Sequence, residues 1–401
     1  MKTKPSFLPL PLGYLASGIH AGLKKNHKPD MALFCSKFPA TTAGLVTTNK
    51  VKAAPAKHTE KALKAGAKVQ AVVVNTKNAN ALTGKQGEKD AQKTVSLAAK
   101  LLNVPFSAVL VHSTGVIGVP LPMPKILGGV RQAVLKLSGM GGRDAAEAIL
   151  TTDTFPKYSA RPLWIGGKNA WLTGFAKGSG MIHPNMATML VYLLTDVAVS
   201  RPLLNEALRE ATETSFHRIT VDGDVSTNDS VLLMANGACG NKIITTKNQD
   251  YQLFVEALKE ICLDLAKAIV RDGEGATKLV SITVKGAKTP RDAYLAAMSV
   301  AKSPLVKTAI FGADPNWGRV LAAVGYSGAA VDEFKASVVI GGYLLYNGGK
   351  KVSWSRERLK QILSERNVDI VVGLGLGRAQ DRVYTCDLTD GYIDINGRYT
   401  T

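Results

Sequence analysis

Short β-branched apolar runs alternate with amphipathic stretches of helical period along most of the chain. Val69–Asn75 is one such run, and a helical stretch follows it from about Gly87 to Leu102. Ala108–His112 is a second run, ending in Ser113-Thr114-Gly115, with helical patterns over Lys125–Leu137 and Asp144–Leu150. Trp164–Ile165 and Trp171–Phe175 flank Gly166-Gly167-Lys168-Asn169, which reads as a hairpin turn. Met186–Ala198 is almost unbroken apolar sequence, and its length and β-branched content suit a buried strand better than a helix. A helix is expected to start near Arg201-Pro202, with Ser200 as its N-cap. Tyr251–Arg271 is the clearest amphipathic helix, with Phe254, Leu258, Ile261, Leu265 and Ile269 on one face. Helical patterns continue over Thr289–Ser303, Val320–Val324 and Arg356–Glu365, and short strands are expected at Ile370–Val372, Val383–Cys386 and Tyr392–Ile395. The pattern defines an α/β protein whose strands do not follow the βαβ order of a doubly wound sheet.

Composition places this pattern in a globular protein. With 401 residues, 46% hydrophobic and 20% charged, the chain can build two domains and is not of the disordered class. No apolar run approaches the ~18 residues of a membrane span, and the proline-interrupted N-terminus does not read as a secretory or transit segment, so a cytoplasmic location is expected. The four cysteines form no CxxC pair and the six histidines no HxxxH pair, which argues against a disulfide framework and against a metal site. The net charge of +19 is distributed unevenly. Residues 1–187 hold 25 Lys and Arg against 7 Asp and Glu, a net of +18, whereas the remainder holds 25 against 24, a net of +1. The lysines of the first part are spread singly, without aromatic interleaving. A solvated surface is therefore favoured over a nucleic-acid site, and only weak, non-specific association with nucleic acid is expected.

The chemically unusual stretch is Lys177 to Leu190, where glycines and a proline hold an irregular loop that runs into the apolar segment at Thr188. A hydroxyl at the start of a rigid strand can support an N-to-O acyl shift, which cuts the backbone between Ala187 and Thr188. The freed α-amine, with a reference pKa near ~8, can then take the proton of its own hydroxyl. On local physics alone, a core-strand threonine is the commoner reading of Thr188. Likewise Gly115, just past a strand end, either exposes a backbone N–H to a ligand or simply closes a tight turn.

Taken together the motifs resemble the ornithine acetyltransferase family of arginine biosynthesis, the ArgJ family. The resemblance spans the chain. It is carried by Lys177–Leu190, by Ala16-Ser17-Gly18 with Ala21–Lys24, by Asn75–Ala81, by Ser113–Gly118 and by Thr151–Thr154. Further matches are Asp222-Gly223-Asp224, Thr227–Ser230, Gly273–Lys278, Gly312–Arg319, Thr385–Leu388 and Ile395-Asn396. It implies an N-terminal-nucleophile layered α/β sandwich with a smaller C-terminal α/β domain. It also implies self-cleavage into an alpha chain of residues 1–187 and a beta chain from 188 to 401, with the alpha chain and the start of the beta chain forming the N-terminal domain together. Thr188 would carry an acetyl group from N2-acetyl-L-ornithine to L-glutamate, with Thr114 and Gly115 as the oxyanion hole. Thr154, Lys177, Thr188, Glu274, Asn396 and Thr401 would bind substrate. Lys177 suits an α-carboxylate, and Glu274 suits the distal ammonium of ornithine. No metal or organic cofactor is implied, the assembly expected is a heterotetramer of two alpha and two beta chains, and acetyl-CoA as a second donor is left open.

The rival within the same chemistry is an aminopeptidase or amidase that passes its acyl group to water. The chain departs from the family at Lys77, where glycine is common, and in its last residues, Gly397–Thr401. His183 lies in the signature, but the terminal amine makes it unnecessary as a base. Gly373–Gly377 lacks the spacing of a dinucleotide-binding turn.

Overall fold

The computed structural model describes residues 8–183 and 189–398. Two sheets organise them, each with its own apolar core. The elements of the first unit run β1 (Tyr14–Ile19), β2 (Met31–Val46), α1 (Ala54–Lys64), β3 (Val69–Asn75), α2 (Gly84–Leu102), β4 (Val109–Ser113), α3 (Met123–Leu135), α4 (Gly142–Ala148), β5 (Lys157–Ile165), β6 (Lys168–Lys177), β7 (Leu190–Thr195), α5 (Arg201–Glu213), β8 (Ser230–Ala235) and α6 (Gln249–Arg271). The second unit follows with β9 (Leu279–Ala287), α7 (Pro290–Lys302), α8 (Pro304–Phe311), α9 (Trp317–Gly325), β10 (Ser337–Ile340), β11 (Tyr343–Asn347), β12 (Lys350–Lys351), α10 (Arg356–Leu363), β13 (Asn367–Gly373), β14 (Ala379–Cys386) and α11 (Asp390–Arg398).

The first sheet has the order β4-β3-β2-β8-β7-β6-β5, with β1 paired to β2. β3–β4 and β7–β8 are parallel, and the other pairs are antiparallel. Strand β7 explains the unbroken apolar run. Val191 and Leu193 face a core shared with α5 and α6, while Leu190, Tyr192 and Leu194 face the opposite core with Phe34, Phe175 and α4. A strand buried on both faces has no polar positions to alternate with. The result is a layered α/β sandwich that is not doubly wound, as the sequence pattern requires.

The second sheet, β12-β11-β10-β13-β9-β14, is six-stranded. Its core is packed by α7, α9 and α10. The two units meet where Leu279, Tyr384 and Cys386 join the core beneath α6. The one clear departure from the sequence pattern lies at the end. Tyr392–Ile395, expected as a strand, belongs to helix α11. Its alternation of Tyr, Ile, Asp and Ile mimics a strand, yet Ile393 is exposed and no strand pairs with the segment. Local i,i+4 contacts sustain the helix instead, from Arg398 to Asp394 and from the Asn396 side chain to the Tyr392 carbonyl. Among the described residues no helix is long and apolar enough to cross a membrane, and no cluster of His, Cys, Asp and Glu could hold a metal.

Candidate active site

Several chain segments meet at one cavity of about 280 Å³. It is lined by Thr114 and Gly115 from the end of β4, by Thr151 and Thr152, by Lys177 and Gly180 at and beyond the end of β6, by Thr227 and Asn228 before β8, and by Glu274 and Asn396. Of the residues expected from the sequence, the cavity thus gathers Thr114, Gly115, Lys177, Glu274 and Asn396 from across the chain. Ala187, Thr188 and Thr401 lie outside the described residues. The flanking Met181 lines the cavity, and the Met189 N–H is bonded to Asp229, the neighbour of the lining Asn228.

Gly115 has φ +127°, and a Cβ there would stand 2.3 Å from the carbonyl of Lys77. Only glycine fits that approach. The segment is clamped on both sides: the Thr114 N–H donates to the Asn75 carbonyl at 3.0 Å and the Val116 N–H to Lys77 at 2.9 Å. Gly115 itself has no hydrogen-bond partner among the described residues, which leaves its N–H for a ligand. Lys77 has a left-handed φ of +76°, a conformation that glycine adopts more readily than lysine; its side chain is exposed and does not line the cavity.

Lys177 is buried at the end of β6, and its Nζ donates to Thr114 Oγ1 at 3.2 Å. Because that oxygen accepts from the lysine, the Thr114 hydroxyl proton is free to donate elsewhere. Burial lowers the Lys177 pKa below the ordinary lysine value, with Lys157 pushing the same way against the carboxylates of Asp153, Asp229 and Glu274.

A buried charge network anchors the two loops on this side. Lys157, with a fully buried side chain, binds Asp153 at 2.7 Å and Asp272 at 2.5 Å. Asp153 also accepts the Gly178 N–H at 2.7 Å and the Thr151 N–H at 2.9 Å, tying the start of the signature loop to Thr151. Burial pushes the Asp153 carboxyl up, but Lys157 and Lys177 outweigh it and hold the group below the usual carboxylate range. Thr154 belongs to this network and not to the cavity wall. Its N–H and hydroxyl both donate to Asp272, and Thr151 and Thr152 take the lining positions.

Glu274 crosses over Gly180, where a Cβ would stand 2.3 Å from its Oε2, and it accepts from Asn396 Nδ2 at 2.8 Å. The opposite wall is set by Asn228, whose Nδ2 donates to the Ala79 carbonyl at 2.6 Å and to the Ser113 carbonyl at 2.8 Å. Thr151, Thr152, Thr227 and Asn228 were visible in the sequence only as pieces of motifs, without a role. His183 stands apart, lining a different cavity with Tyr294 and Lys302, and burial together with Lys302 lowers its pKa to about 4.

This combination is a partly open cavity with an unpartnered backbone N–H at Gly115 and the Thr114 hydroxyl at a strand end. A lysine and a carboxylate, Lys177 and Glu274, both line it. The sequence pattern of the ArgJ family matches residues 15–401, and the chain belongs to that family. It is similar to the arginine biosynthesis bifunctional protein of Symbiobacterium thermophilum, with 50% identity over 98% of both chains. The protein of the same name from Geobacter sulfurreducens is 48% identical over 97% of this chain and 99% of its own. A solved structure, that of the arginine biosynthesis bifunctional protein from Bacillus halodurans, is 41% identical with a TM-score of 0.50, covering 52% of this chain and 98% of the solved one.

Proposed function

We propose that this member of the ArgJ family, an acetyltransferase of arginine biosynthesis, cuts itself between Ala187 and Thr188 and then uses Thr188 as its nucleophile. The observation that carries the reading is the convergence of Thr114, Gly115, Lys177, Glu274 and Asn396 on one cavity that Gly180 and Met181 of the signature loop also line. The solved Bacillus halodurans chain supports the cut, because it is matched over nearly its whole length by only about half of this one.

In the first half-reaction Thr188 Oγ attacks the acetyl carbonyl of N2-acetyl-L-ornithine while the α-amine of Thr188 takes the hydroxyl proton. The carbonyl oxygen becomes an oxyanion, which receives the Gly115 N–H and the Thr114 O–H. The C–N bond breaks, the proton passes to the leaving amine, and ornithine departs from an acetyl-Thr188 ester. The α-amine of L-glutamate then attacks that ester through a second oxyanion in the same place; the acyl C–Oγ bond breaks, the amine proton passes through the Thr188 α-amine to Oγ, and N-acetylglutamate leaves with the Thr188 hydroxyl restored. Lys177 holds the α-carboxylate, and Glu274, steadied by Asn396, faces the distal ammonium of ornithine. Thr154 assists from the network behind the cavity, and Thr401 is assigned to the substrate site on the family resemblance alone.

No metal or organic cofactor enters these steps. The relatives' name, bifunctional protein, fits a second donor, and we assign that role to acetyl-CoA. Each functional unit is one alpha and one beta chain, held together by a sheet to which both contribute, and we infer a heterotetramer of two such pairs. The four cysteines are unpaired, which suits a cytoplasmic setting.

The test incubates the purified protein with N-acetylornithine, with and without glutamate. Transfer to glutamate with little free acetate is expected. Acetate release equal to transfer would favour an amidase, which passes the acyl group to water.

A further inference from the structure

A carboxylate held by Lys177 calls for further donors. It offers about four lone-pair positions, and one N–H of the Lys177 ammonium is already spent on Thr114 Oγ1. Most of the other polar side chains on the cavity wall are committed. The Thr151 hydroxyl donates to Asp153, the Thr227 hydroxyl to Asn228 Oδ1 and the Ser226 hydroxyl to Asp229. Asn228 spends both its N–H groups on the Ala79 and Ser113 carbonyls, and Asn396 spends both on Glu274 and the Tyr392 carbonyl. Apart from Thr114, the hydroxyl that remains on the wall among the described residues is that of Thr152.

Thr152 Oγ1 lies 2.8 Å from Ser179 Oγ. Ser179 is buried, stands behind the cavity wall, and has no other side-chain hydrogen bond among the described residues. A buried O–H without an acceptor is costly, so Ser179 is the donor of this pair and Thr152 the acceptor. That leaves the Thr152 proton for a group in the cavity. The pair is held close to Lys177 along the chain. Asp153 accepts the N–H of Gly178, between Lys177 and Ser179, at 2.7 Å, and the Ser179 carbonyl accepts the Glu274 N–H at 3.0 Å.

We propose that Thr152 is a further substrate-binding residue: its O–H donates to the α-carboxylate that N2-acetyl-L-ornithine and L-glutamate have in common, beside the Lys177 ammonium. The inference rests on the reading of this cavity as the acetyl-transfer site with Lys177 at the α-carboxylate. Thr154 cannot supply this proton, because its hydroxyl is spent on Asp272. Ser179 touches no substrate; by donating to Thr152 it keeps that hydroxyl turned toward the ligand. The α-carboxylate is unchanged between the two half-reactions, so one hydroxyl serves both.

Thr152→Val removes the hydroxyl and keeps the shape. In the full chain, KM should rise by ~10- to 100-fold for N-acetylornithine and for glutamate alike, the loss of one hydrogen bond to a charged group. kcat should change less than about threefold, because the contact is the same in the ground and transition states. Thr152→Ser, which restores the O–H, should return both KM values to near wild type. Wild-type KM values in Thr152→Val would overturn the proposal. A KM raised for glutamate alone would also overturn it, by placing the hydroxyl at the distal carboxylate. So would a fall in kcat that Thr152→Ser leaves unrepaired, the mark of a structural role. A wild type that transfers no acetyl group would instead remove the reading on which the inference rests. An independent check needs no variant: a crystal structure of the wild type with L-ornithine should place Thr152 Oγ1 within about 3.0 Å of an α-carboxylate oxygen. A carboxylate bonded to Lys177 and water, with Thr152 out of reach, would overturn the assignment.

Discussion

In the first sheet, β2 and β6 from before residues 184–188 lie hydrogen-bonded to β8 and β7 from after them, whereas every strand of the second sheet comes after that segment. The second sheet is a self-contained unit around one core. The first is a joint, with β8 seated between β2 and β7. A backbone cut near residue 187 therefore leaves the first sheet held by two complete strand pairings and the cores on both its faces. The cavity lies at the strand ends of this joint, and among the described residues α11 lends it Asn396 and the connection from α6 to β9 lends it Glu274. The candidate site lies where strands from the two sides of residues 184–188 pair, and the other sheet stands beside it.

The sharpest way to break this contrast is Lys157→Met. It strands Asp153 and Asp272 without their buried cation and should cost ~3–5 kcal/mol of stability, together with activity, because Asp153 also holds Gly178. Thermal and denaturant melts, with the transfer assay alongside, measure both. Gly115→Ala is next. It forces a Cβ against the Lys77 backbone and displaces the proposed oxyanion donor, so kcat should fall by ~10²- to 10³-fold, and the melting temperature should fall with it because the strained turn must shift. In the second sheet, Ile370→Val trims a fully buried side chain and should cost ~0.5–1.5 kcal/mol while leaving kcat and KM at wild-type values. A change in kcat there would show that the second unit does more than support.

The smallest effect concerns pH. His112, buried between Thr59 and Tyr192 two residues before Thr114, has its pKa lowered by burial to about 3. The unfolded chain therefore binds this proton first. The neutral histidine's contribution to stability is complete above its ordinary value of ~6.5 and drains away as pH falls from there toward 3. His112→Gln should lose less melting temperature than the wild type over that interval.

What could be read from the sequence follows from locality. The apolar run at β7, the hairpin turn read over Gly166–Asn169 and the strand end at Ser113-Thr114-Gly115 are local patterns, and the structure has a strand, a hairpin and a strand end there, with the turn tightened to Gly166-Gly167 and Lys168-Asn169 taken into β6. The strand expected at Tyr392–Ile395 failed because four alternating residues cannot distinguish a strand from an exposed helix held by its own i,i+4 pairs. The site residues were legible only as motifs. Lys157 and Asp272 meet across 115 positions, and Asp229 reaches back 40 to Met189, so no spacing rule finds either pair. Thr154 shows the same limit: its motif is right, but its neighbours Thr151 and Thr152 line the cavity.

The account turns on the cut, and the direct measurement is the intact mass and N-terminal sequence of active protein under denaturing conditions. Two chains are expected, the second beginning at Thr188, with Thr188→Ala remaining as one inactive chain. A single 42.5 kDa chain that transfers acetyl groups at full rate would contradict it.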